Sequence, residues 1–235
     1  MKVISYNTHT CTQAKIDHIL AMGADLFILP ECSSREHVSI PAGYDMLWCG
    51  DDDLKEKGLG VVLKKHLSVR IIPEYKKIKH ILPLMVDSAG FPKFVLASWP
   101  TVWMEKKTYP QLLLEALKEY SFYLDRFPSM VVGDFNCFVG QSGVSKTTGT
   151  FEDCIAEMEK HGLRSIYHEQ TGESFGKETT ATFYWHFNPE KPFFLDYAFS
   201  CIKPSSFAVG EWEREISDHR PLIIDLDDEP WDGRP

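Results

Sequence analysis

Three short stretches of the chain carry side chains suited to hydrolytic chemistry. In Val131-Val132-Gly133-Asp134-Phe135-Asn136 two valines make a buried-strand signal and Gly133 permits a tight backbone. A carboxylate and a carboxamide follow two residues apart. On an extended chain such a pair shares a face, roughly 6–7 Å apart by strand rise, where it can hold a metal or water and orient an attacking oxygen. The same residue types are also common turn formers. In the second stretch, Phe193-Phe194-Leu195-Asp196-Tyr197-Ala198-Phe199, one carboxylate interrupts a strand of aromatics and needs a hydrogen-bonded or charged partner. The third, Ser217-Asp218-His219-Arg220-Pro221, leads into the apolar Leu222–Leu226. Pro221 biases Arg220 towards extended geometry. Asp218 and His219 then supply a hard anionic oxygen and an imidazole. Asp196 meeting His219 would fix its tautomer and favour the protonated ring; the alternative makes Asp218 a turn residue and His219 a surface histidine.

The elements that must position these residues read as α/β. Val3–Tyr6 is a strand ending at Asn7-Thr8-His9, and Asn7 and His9 share a face if it stays extended. Thr12–Met22 has helical spacing, and Asp25–Leu29 is a second strand closed by Pro30 and Glu31. This β–α–β opening predicts neighbouring parallel strands, with Asn7 and Glu31 at two strand ends, where α/β proteins tend to place their sites. Strands are expected at Tyr44–Trp48, Leu59–Leu63, Val69–Ile72, Leu82–Val86 and Phe94–Ser98, as a meander of antiparallel pairs. Helices are expected at Tyr109–Phe127 and Phe151–Lys160, with the Gly/Ser/Thr-rich loop Gly140–Gly149 before the second. Strands return at Arg164–Tyr167, Ala181–Trp185, Phe194–Phe199, Phe207–Val209 and Leu222–Leu226. Residues 1–226 read as a single domain and 227–235 as an acidic, frayed tail.

Composition narrows the class. Hydrophobic residues at 43% and charged residues at 25% describe a soluble globular protein with a full core. The net charge of −9 excludes a protein coated in nucleic-acid-binding cations. One run, Lys55 to Lys79, is basic, and reads either as a phosphate-attracting face or as a solvated hairpin edge. Six cysteines without Cys-x-x-Cys spacing give neither a zinc cluster nor a disulfide framework. With no signal segment and no apolar run of membrane-spanning length, the expectation is a reduced, cytoplasmic monomer with no membrane partner.

Taken in order, Asn7, Glu31, Gly133-Asp134-Phe135-Asn136, Leu195-Asp196-Tyr197 and Ser217-Asp218-His219 resemble the motifs of the endonuclease/exonuclease/phosphatase (DNase I-like) superfamily. The resemblance spans Lys2 to Leu226. It implies a four-layer α/β sandwich: two mixed β-sheets packed face to face with helices outside. It also implies in-line hydrolysis of a phosphate ester. Glu31 would be the main ligand of Mg²⁺ or Mn²⁺ with Asp218 nearby. Asp134 would orient or deprotonate the attacking water, assisted by Asn136. His219, backed by Asp196, would bond a phosphoryl oxygen, and Asn7 would contact metal-bound water or the catalytic carboxylate.

The chain also departs from the family. Many relatives carry a histidine or tyrosine on the strand before the long helix; here Ser98 or Trp99 occupies that region. Where several nucleases have Asn-x-Asp at the first strand, this chain has Asn7-Thr8-His9. His9 thus reads either as a replacement acid or as a packed polar residue. Loops at Thr101–Thr108, Gly140–Gly149, Thr171–Thr180 and His186–Pro192 are expected to rim the site. They offer Lys106, Lys107, Lys146 and Lys177 for phosphate, and Trp103, Tyr184 and Trp185 for base stacking. The expected substrate is nucleic acid. The alternatives are a small phosphorylated metabolite or nucleotide, and a degenerate phosphate-binding protein without turnover.

Overall fold

A computed structural model describes residues 1–51, 54–76, 78–88, 90–102, 107–141 and 149–230. The strands are β1 (Lys2–Ser5), β2 (Leu26–Cys32), β3 (Tyr44–Gly50), β4 (Gly58–Lys64), β5 (Ser68–Ile71), β6 (Ile81–Ser88) and β7 (Phe91–Ser98). They continue with β8 (Ser129–Asp134), β9 (Arg164–Ser165), β10 (Phe183–Tyr184), β11 (Pro192–Phe193), β12 (Asp196–Ser200), β13 (Ile202–Val209) and β14 (Leu222–Pro230). The helices are α1 (Gln13–Leu20), α2 (Tyr109–Glu119), α3 (Ser121–Arg126), α4 (Phe151–Lys160) and α5 (Ile166–Thr171).

Two six-stranded mixed sheets result, ordered β13-β14-β1-β2-β4-β3 and β5-β6-β7-β8-β12-β9. The β1–α1–β2 unit is parallel, as its spacing predicts, and so is β7–β8. Antiparallel pairing in the middle is present but divided: β3 and β4 join the first sheet, β5 to β7 the second. Val3, Ile28, Val61 and Ile224 of one sheet share an apolar core with Leu84, Val95, Val132 and Ala198 of the other. On the outer faces, Ile16 and Ile19 of α1 pack on Phe27, and Leu113 and Leu117 of α2 pack with Phe94 and Val131. Helix, sheet, sheet and helix make four layers.

Local differences have local causes. The helix expected over Tyr109–Phe127 breaks at Tyr120, whose buried ring carries its hydroxyl to the Lys76 N–H. Of the strand expected over Arg164–Tyr167, only Arg164–Ser165 pairs. Ile166 faces the core between the sheets and Tyr167 the opposite core, and this alternation is reached here on a short helix. The expected strand Ala181–Trp185 shrinks to a two-residue hairpin with β11. β14 runs on to Pro230, pairing with Ile202, so residues 227–230 are strand where a frayed tail was expected. No helix among the described residues is long and apolar enough to cross a membrane.

Candidate active site

Strand register brings the two carboxylates of the apolar strands together, because Asp196 pairs directly with Asp134 across β12 and β8. Like charges opposed in a sheet repel, and both residues are buried. His219 answers that repulsion. Its Nδ1 lies 2.8 Å from Asp196 Oδ2 and its Nε2 3.9 Å from Asp134 Oδ2. Burial disfavours the charged ring, but the Asp196 and Asp134 charges outweigh it and hold the imidazole protonated up to about 10.

Asp134 carries two donors. Its Oδ1 accepts the Asn136 N–H at 2.9 Å and its Oδ2 the Asn7 amide at 2.8 Å. Burial nonetheless pushes its carboxyl up to about 7, with Asp196 adding to the rise and His219, Asn136 and Asn7 opposing it. The two residues do not share an extended face, as their spacing suggested. Asn136 has φ +54°, so the chain turns there, and its side-chain amide reaches the Pro100 carbonyl at 3.3 Å. The turn reading holds at Asn136, and that turn is what brings its N–H onto Asp134. Gly133 is required for it: at φ +147° an added Cβ would sit 1.8 Å from the Ser98 carbonyl oxygen.

Asn7 joins the sheets. Besides Asp134, its amide donates to Glu31 Oε1 at 3.3 Å, and its own Oδ1 accepts the His9 N–H. Its carbonyl accepts the Ser217 hydroxyl at 2.7 Å, and that hydroxyl accepts the His219 N–H at 3.1 Å. Glu31 is aimed by a register shift between Leu29 and Cys32, at φ +59°, a bulge of the kind that redirects side chains at functional sites. Lys57 Nζ stands 2.7 Å from Glu31 Oε2. His9 leaves the strand at φ +42°, half-exposed, with its Nδ1 3.1 Å from Asp218 Oδ2 and Phe187 edge-on to its ring. Burial raises the Asp218 carboxyl, but the His9 hydrogen bond and the His219 charge hold it below the usual carboxylate range.

The ligand-capable atoms of Asp134, Asp196 and His219 lie within 4.8 Å of one another. A doubly protonated imidazole has no lone pair for a metal, so this trio is suited to proton and charge chemistry. Hard oxygens for a cation are offered by Glu31 and Asp218. Glu31 Oε2 and Asp196 Oδ1 are buried with no hydrogen-bond donor aligned on them among the described residues. A carboxylate oxygen whose close partner is the movable end of a lysine side chain fits a hard divalent ion.

Of the residues singled out from sequence, Asn7, Glu31, Asp134, Asn136, Asp196, Asp218, His219 and His9 are connected through these contacts. Ser98 is not on the surface of the site: it is fully buried and its hydroxyl donates to the Leu96 carbonyl. Trp185 is 49% exposed and meets Phe183, which packs 4.5 Å from the His219 ring. Lys146, Trp103 and Lys106 lie outside the described residues. Among the described residues of the basic run, Lys55, Lys57, Lys64, Lys76 and Lys79 each pair with a carboxylate.

Sequence reading missed Thr182, whose buried hydroxyl accepts the Leu195 and Asp196 N–H groups and fixes the start of β12. It also missed His80. The region near Ser98, where an imidazole is lacking in the strand itself, receives one from the residue before β6. His80 stacks on Trp99 at 4.7 Å and its Nδ1 meets the Thr101 hydroxyl at 2.6 Å. Nothing local marks it; only the β6–β7 pairing brings it there.

No family model and no curated protein sequence matches this chain. Solved structures do. The endonuclease domain of TRAS1, a telomere-specific non-LTR retrotransposon, superposes with a TM-score of 0.64 at 14% identity, covering 96% of this chain and 97% of that one. An AP endonuclease from Archaeoglobus fulgidus gives 0.62 at 15%, over 97% and 99%. D. rerio TDP2 complexed with single-strand DNA product gives 0.60 at 16%, over 97% and 98%. Further neighbours are endonuclease/exonuclease/phosphatase proteins. The chain has the four-layer fold of the endonuclease/exonuclease/phosphatase, DNase I-like superfamily.

Proposed function

We propose that this protein is a divalent-metal-dependent phosphoesterase acting on nucleic acid. The observation that carries the reading is the buried Asp134–His219–Asp196 unit, tied through Asn7 to Glu31 of the other sheet. Asp134, with a carboxyl near 7, is poised to take a proton from an attacking water. Asn7 and Asn136 fix its orientation. His219 keeps Nδ1 on Asp196 and presents Nε2, as a protonated donor, to a phosphoryl oxygen gaining charge. Glu31 and Asp218 would hold Mg²⁺ or Mn²⁺, which when bound polarises a phosphoryl oxygen and neutralises developing charge. Activity should rise as pH passes about 7, where Asp134 ionises, and fall towards about 10, where His219 loses its proton. A flat profile across this window, with chemistry rate-limiting, rejects these two roles.

Nucleic acid is favoured by an aromatic ledge leading away from His219. Phe183 contacts Trp185 and Phe193, and Phe193 contacts Phe138; such faces stack bases with little regard to sequence. The known AP endonuclease and the DNA-bound TDP2 share the fold. A small phosphorylated metabolite or nucleotide is the second reading, favoured by the ion-paired state of the Lys55–Lys79 run. The six free thiols fit a reducing, cytoplasmic setting. A panel of single-stranded, nicked and abasic DNA, RNA, mononucleotides and inositol phosphates, with Mg²⁺, Mn²⁺ or chelator, tests the assignment. Turnover of nucleic acid abolished by chelator is expected; turnover of a mononucleotide alone selects the second reading, and full activity in chelator ends the metal mechanism.

A further inference from the structure

We propose that Lys57 is a resident cation of the metal site, which a divalent ion must displace from Glu31 in order to bind. This rests on the reading of Glu31 as a metal ligand. The two oxygens of Glu31 are held unequally. Oε1 takes the amide of Asn7, which is fully buried and also holds Asp134 at 2.8 Å. Oε2 takes only the Lys57 ammonium, 2.7 Å away, in a contact of charge with charge that lacks hydrogen-bond alignment. A ligand entering at Oε1 would compete with the Asn7 amide, whose other hydrogen bond orients Asp134. One entering at Oε2 has to move only the end of a flexible side chain that is 41% exposed. A dication and an ammonium sharing one carboxylate oxygen repel each other, so the lysine yields.

The backbone keeps Lys57 in attendance whichever partner its ammonium takes. The Ser33 hydroxyl donates to the Glu56 carbonyl at 2.8 Å, and the Ser34 N–H donates to the Lys55 carbonyl at 2.8 Å. Cys32, next to Glu31, pairs with Gly58, next to Lys57. The loop that carries the lysine is therefore fastened to the strand that carries the glutamate. Displacement becomes a side-chain swing, and occupancy of the site becomes a competition between an internal and an external cation.

Mn²⁺ binding, read from the free-ion electron paramagnetic resonance signal in the absence of substrate, tests this on the whole chain. Lys57→Met should bind Mn²⁺ about tenfold more tightly than the parent, Lys57→Arg should stay near the parent, and Glu31→Gln should lose the site. Equal affinity of Lys57→Met and parent, with binding still lost in Glu31→Gln, overturns the role of Lys57 and leaves the metal reading standing. Unchanged binding in Glu31→Gln removes Glu31 as a ligand and the competition with it. Should Lys57→Met misfold by its melting curve, Lys57→Gln takes its place. Independently of these variants, a ¹³C-methylated Lys57 resonance should move with added Mg²⁺; a resonance static through saturation overturns the proposal.

Discussion

Two imidazoles sit at the same end of the β5–β9 sheet, buried to nearly the same degree, His219 4% and His80 7% exposed, yet their protons behave oppositely. His219 faces Asp196 and Asp134 and stays protonated up to about 10. At His80 burial is the leading influence, Asp51 opposing it and Lys79 assisting it, and its pKa falls to about 4. Its hydrogen-bonding partner is the neutral Thr101 hydroxyl, and its Nε2 has no partner among the described residues. Burial alone strips an imidazole of charge; two carboxylates in contact reverse the outcome. The first arrangement packs against Trp99, and the second holds a protonated donor beside the Asp134 carboxyl.

The comparison breaks most forcefully at Asp196. Asp196→Asn keeps the shape and removes the charge nearest His219, which should then titrate much closer to its ordinary 6.5. Breaking one side of a buried ion pair costs about 3–5 kcal/mol, read as a loss of denaturant stability. Activity should fall more at neutral and alkaline pH than at acid pH. A pH–rate profile of the same shape as the parent's would mean that Asp196 does not tune His219.

Stability against pH sharpens the contrast further. The raised pKa of His219 contributes stability that is complete below about 6.5 and lost as pH rises through about 10. The depressed pKa of His80 contributes stability present above about 6.5 and lost as pH falls through about 4. By linkage the His80 contribution is about 3 kcal/mol at most. His80→Gln should flatten the acid limb between those values and leave the alkaline limb alone; an unchanged acid limb assigns that transition to other groups.

The smallest effect concerns a third imidazole. His9 is half-exposed and turned to Asp218, the residue proposed above as a metal ligand, so the expected role is support of that ligand. His9→Ala should cost about 10–100-fold in metal affinity or activity, as loss of a ligand's hydrogen-bond partner does. The loss should be equal for a natural ester and a nitrophenyl ester. A smaller loss on the nitrophenyl ester would restore the acid role.

What the sequence disclosed, and what it hid, follows from where each signal is stored. Asp134, Asp196 and His219 were legible because polar groups inside apolar strands are costly and must be partnered. Asn7 and Glu31 were legible as the polar ends of apolar runs. The place of Lys57 beside Glu31 and of His80 beside Trp99 was not, since each is set by strand pairing, which leaves no mark in neighbouring residues. Asn136 does meet Asp134, but through its backbone N–H and not from a shared face, because spacing two apart implies a shared face only while the chain stays extended. The β9–α5 stretch misled in the same way: Ile166 and Tyr167 do enter opposite cores, but a helix and not a strand places them there.

The sheet order has a consequence for how the protein is made. β1 lies between β2 and β14, with Val3 opposite Ile224, while β5 to β12 build the second sheet from a continuous middle segment. A ribosome can release that middle segment to fold on itself, but the first sheet has to wait for residues beyond 220. Asn7 has neither Ser217 beneath its carbonyl nor His219 across from Asp134 until then. Such distant pairings close slowly, so the Asp134–His219–Asp196 contacts and the bond from Ser217 to the Asn7 carbonyl stay unmade until residues 217–219 have been synthesised and docked against strands made much earlier.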